Sequence, residues 1–125
     1  MEIEIDVNDD TPIFHQLINQ VKGSVMSGVL TTGVSLPSIR QLANELGVNQ
    51  NTVAKAYKML ERDSIIVARG YRGTFIHENA KENCQVNLND KGLNIMKESI
   101  VNMRALGLTD SEIRIAFSSL MKQSN

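Results

Sequence analysis

Apolar residues recur along this chain at spacings of three and four, broken in one place by a shorter alternation. Ile13, Phe14, Leu17, Ile18, Val21, Val25 and Val29 form one stripe and predict a helix over about 12–28. Asp10-Thr11-Pro12 precedes it, with a capping side chain followed by proline at the first helical position, where the missing N–H costs nothing. Gly28 and Gly33 bracket the exit into a loop. A second helix restarts at Leu36-Pro37-Ser38. Ser38 and Gln41 stand at capping-box spacing, Ile39, Leu42, Ala43 and Leu46 supply the inner face, and Gly47 stops the helix. Asn49 then caps a third helix whose inner stripe is Val53, Ala56, Tyr57 and Leu60. Two short capped helices joined through a glycine turn make a helix-turn-helix.

The pattern then changes period. Ile65–Ala68 and Thr74–Ile76 are β-prone and flank Arg69-Gly70-Tyr71-Arg72-Gly73, which predicts a hairpin with two arginines at its tip. A helix-turn-helix followed by a basic hairpin is a winged helix. Residues 1–78 are therefore expected as one winged domain and the polar stretch 79–87 as a linker. Residues 88–125 follow as a two-helix tail. Asn89 or Asp90 is expected to cap the first tail helix, with Leu93, Met96, Ile100, Met103 and Leu106 on its stripe and Gly107 as its stop. Thr109 and Glu112 form a second capping box ahead of Ile113, Ala116, Phe117, Leu120 and Met121. The fold class is mostly α with one small β-hairpin. An apolar stripe on two helices outside the winged domain needs a partner, and a two-fold homodimer is the economical one. Its expected contacts are Leu93, Met96, Ile100, Met103, Phe117 and Leu120.

Composition narrows the function. The 125 residues are 42% hydrophobic and 22% charged, values of an ordinary globular chain rather than a disordered one. The longest apolar run, Ile65–Ala68, is far short of a membrane span. The first residues lack the basic-then-apolar layout of a signal peptide. Cys84 is the single cysteine, which excludes an intrachain disulfide and a thiol–zinc cluster and suggests a reducing, cytoplasmic address. Charge is unevenly spread. Residues 1–34 carry −4 (Glu2, Glu4, Asp6, Asp9 and Asp10 against Lys22). Residues 35–75 carry +3, from Arg40, Lys55, Lys58, Arg62, Arg69 and Arg72 against Glu45, Glu61 and Asp63. A basic middle suits a polyanion. No phosphate-binding glycine loop or HExxH motif is present, and His77, Glu78, Glu82 and Cys84 match no trusted metal-ligand spacing. No enzyme, cofactor or metal is expected.

Three stretches in order, Pro12–Leu17, LPSIRQLANELGVNQNTVAKAYKMLE (36–61) and ARGYRGTFI (68–76), resemble the DNA-binding domain of GntR-family bacterial regulators. The short tail resembles the YtrA-type subfamily, which implies a dimerising helical pair and, often, control of ABC-transporter genes. The resemblance implies that Arg40, with Ser38 beside it, contacts a phosphate. It also makes Asn49, Gln50, Asn51, Thr52 and Lys55 the start of the recognition helix. Gln50 stands where relatives have arginine, and Ala54 where they often have a base. Arginine pairs with guanine whereas glutamine prefers adenine, so the operator read should differ. Ser64 replaces a family glycine, and a left-handed conformation there would cost about 1 kcal/mol.

Chemistry supports the same surface. The first turn of a recognition helix presents free N–H groups and short polar side chains to base edges and phosphates. Arg69 and Arg72, with Gly70 and Gly73 tightening the turn and Thr74 leaving it, suit a sugar–phosphate wall or a narrow minor groove. Tyr57 and Phe75 are expected in the core, and Lys58 and Arg62 as solvated helix charges. The expectation is a repressor that binds a palindromic double-stranded operator as a homodimer, with no membrane role. Two alternatives stay open. One is a winged-helix adapter that binds protein rather than DNA; the other is a regulator sensing a ligand or metal in the linker.

Overall fold

The computed structural model describes residues 2–123, which divide into two compact units meeting after Val86. The first unit contains α1 (Ile13–Met26), β1 (Ser35–Leu36), α2 (Ile39–Leu46), α3 (Gln50–Arg62), β2 (Ile66–Ala68), β3 (Thr74–Ile76) and α4 (Ala80–Asn83). The second holds α5 (Leu88–Ala105) and α6 (Asp110–Gln123). The mostly helical winged fold is as expected, with additions that only packing reveals.

α1 is shorter than its stripe suggested. Pro12 flanks the helix instead of opening it, and no side chain caps it; the Thr11 carbonyl accepts from Gln16 Nε2. The helix ends at Met26, so Val29 leaves the register and is 68% exposed, while Leu30 takes its place in the core. Leu17, Ile18, Val21 and Val25 are buried against the inner residues of α3, Val53, Ala56, Tyr57 and Leu60.

α2 and α3 begin as their sequences dictate. Ser38 Oγ accepts from the Gln41 backbone N–H (3.1 Å) and Gln41 Oε1 from the Ser38 N–H (3.4 Å). Gly47 ends α2 at φ +67°, a conformation open to glycine at little cost. Asn49 Oδ1 then accepts from the Asn51 N–H at 2.7 Å. Tyr57 is buried, and its hydroxyl donates to the Pro37 carbonyl at 2.6 Å, fixing the entry to α2 against α3. Burial, assisted by the Glu45 charge, pushes this phenol up to about 12. Ser64 adopts φ +57° at the exit of α3, the left-handed position anticipated for the missing glycine. Its carbonyl accepts from Asn83 Nδ2 (2.8 Å), which ties the turn to α4.

The hairpin is one part of a three-stranded antiparallel sheet in the order β1-β3-β2. Ser35 and Leu36 pair with Phe75 and Thr74, so Leu36 belongs to a strand and not to the start of a helix. Leu36 is buried and anchors the sheet to the helices. The start of the expected linker also belongs to the fold. Residues 80–83 form a helical turn, Ala80 is 2% exposed, and Cys84 packs against the core, so the winged unit extends to Val86.

Ahead of α1, an extended arm lies along the helix. Ile3 and Ile5 pack on the core. Gln16 exchanges two hydrogen bonds with the backbone of Asp6, and Gln20 two with that of Glu4. Two glutamines one helical turn apart thus match the two-residue period of an extended chain.

In the second unit, Asn87 caps α5 by accepting from the Asp90 N–H (3.1 Å), two or three residues earlier than expected. The Thr109–Glu112 capping box forms as expected, and Arg104 Nε donates to Asp110 Oδ1 at 2.9 Å. That partner holds the Asp110 carboxyl below its ordinary range, and the Thr109 hydrogen bonds do the same for Glu112. Among the described residues of this unit, Ile113 is the one buried side chain.

Candidate nucleic-acid interface

Three exposed features of the winged unit gather the expected contacts. The first is the turn into α2, where Ser38 and Arg40 are both exposed. The Ser38 hydroxyl is already occupied by its cap, so its part is to hold the turn that carries Arg40. The Tyr57–Pro37 hydrogen bond fixes the same turn from behind.

The second is the first turn of α3. Asn49, Gln50 and Asn51 are exposed and Thr52 is half-buried. Asn49 is committed to capping, which leaves Gln50 and Asn51 as the side chains free to address base edges. Lys55 lies one turn on, with Nζ 3.9 Å from the centroid of the Phe14 ring. A cation held over an aromatic face keeps its charge while losing freedom. Phe14 itself packs on the core and lies 4.4 Å from the His15 ring, tilted against it. α1 therefore positions a recognition-helix cation, which the sequence reading missed. The signal would have been an aromatic at the start of α1, but only the packing of α1 on α3 brings the pair together.

The third is the wing tip. Arg69 and Arg72 are exposed on the loop between β2 and β3. The Arg69 N–H donates to the Gly73 carbonyl at 2.8 Å, and Gly70 and Gly73 take φ +59° and +106° to close the loop. Thr74 is half-buried and pairs in both ladders, so its role is in the sheet. Among the described residues, Arg40, Lys55, Arg69 and Arg72 make no salt bridge with a carboxylate. Arg62 differs: its Nε lies 2.8 Å from Asp63 Oδ1, and Lys22 also reaches Asp63 at 3.7 Å. The cations of the three features are thus available to a polyanion, while those behind them are spent on the fold.

The linker residues offer little coordination chemistry. His77 Nδ1 accepts from the Asn79 N–H at 3.0 Å, and burial pushes the Cys84 thiol up. Among the described residues, no group of three or more His, Cys, Asp or Glu side chains could hold a metal ion. No described helix is long and apolar enough to cross a membrane.

A capped helix pair, a polar recognition-helix start and a basic wing on one small sheet define a winged-helix transcription regulator. The chain belongs to the gntR family of bacterial regulatory proteins, whose profile matches residues 14–76. That family is one of DNA-binding regulators, not of enzymes. The chain is 49% identical over 79 residues to the HTH-type transcriptional repressor YtrA of Bacillus subtilis, a match spanning 63% of this chain and 61% of that protein. It is 40% identical over 110 residues to the HTH-type transcriptional regulator Rv1152 of Mycobacterium tuberculosis, covering 88% and 86% of the two chains. Among solved structures it is similar to YtrA from Sulfolobus acidocaldarius, a GntR-family transcription factor. There the TM-score is 0.57 and identity 29%, over 98% of this chain and 99% of the other.

Proposed function

We propose that the protein is a cytoplasmic repressor that binds a palindromic operator as a homodimer, through Arg40, the first turn of α3 and the wing. The observation that carries the DNA face is the set of unpaired cations flanking Gln50 and Asn51. The dimer rests on the tail. Leu93, Met96, Phe117 and Leu120 are 43–65% exposed on α5 and α6, and Ile100 and Met103 are half-buried beside them. Monomeric proteins rarely leave so many large apolar side chains in water, and a second copy of the same helix pair would offer them a matching apolar surface. The YtrA-type resemblance adds transporter genes as the regulated set.

Two half-sites about 34–36 Å apart, one helical turn, or a multiple of that, would each receive one α3. A gel shift on the DNA upstream of the protein's own gene, combined with sedimentation, tests the reading. A dimer that retards this DNA and spares an unrelated duplex is expected. A monomer that ignores both would refute it and favour a protein-binding adapter. Base reading by Gln50 has its own check. Gln50→Arg should move the selected operator toward guanine at one symmetric pair of positions, by about 1–3 kcal/mol each. Identical selected sites for the two proteins would remove Gln50 from the reading set.

A further inference from the structure

The core of the winged unit is open to solvent at a place lined by none of the expected DNA contacts. The end of α1, the loop after it, β3 and the start of α4 enclose an open cavity of about 170 Å³. Val25, Leu30, Ile76 and Ala80 line it, and each is at most 5% exposed. All four belong to the core cluster, so the cavity is a dent in the core itself. Backbone hydrogen bonds hold its walls. The Leu30 N–H donates to the Ser24 carbonyl (3.0 Å), the Gly33 N–H to that of Ile76 (3.0 Å) and the Ala80 N–H to that of His77 (3.1 Å). The Thr32 hydroxyl adds a bond to the Glu78 carbonyl at 3.3 Å. Gly28 lines the remaining wall at φ +85°, without a side chain to fill the space. Thr31 and Lys81 line the cavity and are exposed, which places them at its mouth. Among the described residues no carboxylate pairs with Lys81, although Glu78 and Glu82 are its neighbours in sequence.

We propose that this cavity binds a small apolar monocarboxylate, with its hydrocarbon end against Val25 and Ile76 and its carboxylate at Lys81. An apolar cavity of about 150 Å³ holds benzene, so the volume suits one aromatic ring or a short branched chain. Burial of that group in a preformed apolar dent supplies the affinity. The unpaired ammonium selects an anion over a cation or a neutral molecule of the same shape. The site belongs to the winged unit and does not rest on the DNA-binding reading: a protein that ignored every duplex would still carry it. Its occupant bridges the end of α1 and α4, the last element before the tail, and so steadies α4.

The test titrates the full-length protein, carbon-13 labelled at its Ala, Val, Leu and Ile methyls, with three probes of one shape: benzoate, benzamide and benzylamine. Benzoate at millimolar concentration should shift the methyls of Val25, Leu30, Ile76 and Ala80 saturably. Benzamide should shift the same methyls about fivefold more weakly, and benzylamine should leave them in place. Lys81→Gln should weaken benzoate about fivefold and leave benzamide unchanged, because the variant removes the charge alone. Lys81 is exposed, so this variant should keep the wild-type unfolding midpoint. Amide exchange over residues 80–84 should slow when benzoate is present. Three results would each overturn the proposal. The first is a set of cavity methyls that no probe moves, or that benzoate and benzylamine move alike. The second is a Lys81→Gln variant that binds benzoate as tightly as the wild type. The third is a benzoate response confined to tail methyls such as those of Ile115 and Leu120, which would mean adsorption on exposed apolar surface.

Discussion

The winged unit and the tail are built from the same material and end in opposite states. Both have amphipathic helices with capping boxes, and both have stripes of Leu, Ile, Val and Met. In the winged unit the stripes of α1 and α3 face each other, and Leu60, Ile65 and Val53 are fully buried. In the tail, α5 and α6 close on Ile113 and leave most of their apolar residues in water. A stripe satisfied by three helices and a sheet needs nothing more. A stripe shared by two helices has too few neighbours to cover it. The first unit thus buries its own stripes, whereas the second leaves most of its apolar residues exposed.

Cutting the chain after Val86 tests this contrast most severely. The fragment should fold, because its core is self-contained, and sediment as a monomer. It should also bind an operator about 100-fold or more weakly, since the second half-site is no longer engaged intramolecularly. Leu120→Asp in the intact chain should give the same monomer with the winged unit untouched. A fragment binding as tightly as the whole protein would end the tail's role as tether.

Next in size is the effect of the unpaired cations. Arg40→Ala and Arg72→Ala should each weaken binding across all sequences and reduce the slope of log K against log salt by about one. Arg62→Ala, whose guanidinium is held by Asp63, should leave that slope alone. Equal slopes for all three would dissolve the distinction between available and committed cations.

Alkaline titration separates the two units further. The Tyr57 phenol is raised in the folded state from 10 to about 12, so the folded protein favours its neutral form. That stability is fully present below pH 10 and is lost as pH rises toward 12, where the hydroxyl can no longer donate to Pro37. The winged unit should lose its structure in this range, and Tyr57→Phe should be less stable at neutral pH but insensitive to this titration. The tail responds at the other end of the scale. Asp110 and Glu112 are depressed when folded, so the stability they contribute is present above the ordinary carboxylate range and is lost as pH falls through their lowered values. Fraying at the start of α6 in acid, seen as local amide exchange, is the expected sign.

Ser64→Gly should have the smallest effect. Relief of the left-handed serine is worth about 1 kcal/mol, part of which glycine's larger unfolded-state entropy cancels. A net gain of about 0.5 kcal/mol in denaturant unfolding is expected, with the Asn83 hydrogen bond to the backbone retained. A loss of stability would mean that the Ser64 side chain has a role of its own.

Legibility in the sequence followed the range of the interaction. The caps of α2, α3 and α6 were visible because donor and acceptor are two or three residues apart. The left-handed residue at 64 was visible through its resemblance to a glycine position. The cap of α5 was misplaced by two or three residues because Asn87, Asn89 and Asp90 all suit the task, and the local pattern does not choose among them. The proposed contacts were located as types on elements, but not by availability: Ser38 and Asn49 are spent on caps, and Thr74 on the sheet.

Periodicity and local capping by themselves determined the helix-turn-helix, the hairpin and the two tail helices, because each depends on neighbours within a few residues. Tertiary structure alone decided what needs partners from elsewhere in the chain. β1 is two residues long and exists only because β3 offers it an edge. The acidic arm acquires its place from Gln16, Gln20 and the packing of Ile3 and Ile5, and α4 from the core surface that buries Ala80 and from the Asn83 hydrogen bond to Ser64. Lys55 meets Phe14 because α1 crosses α3, a contact between residues forty-one apart. Backbone preferences are written residue by residue, whereas burial and charge pairing depend on which surfaces the finished fold brings together.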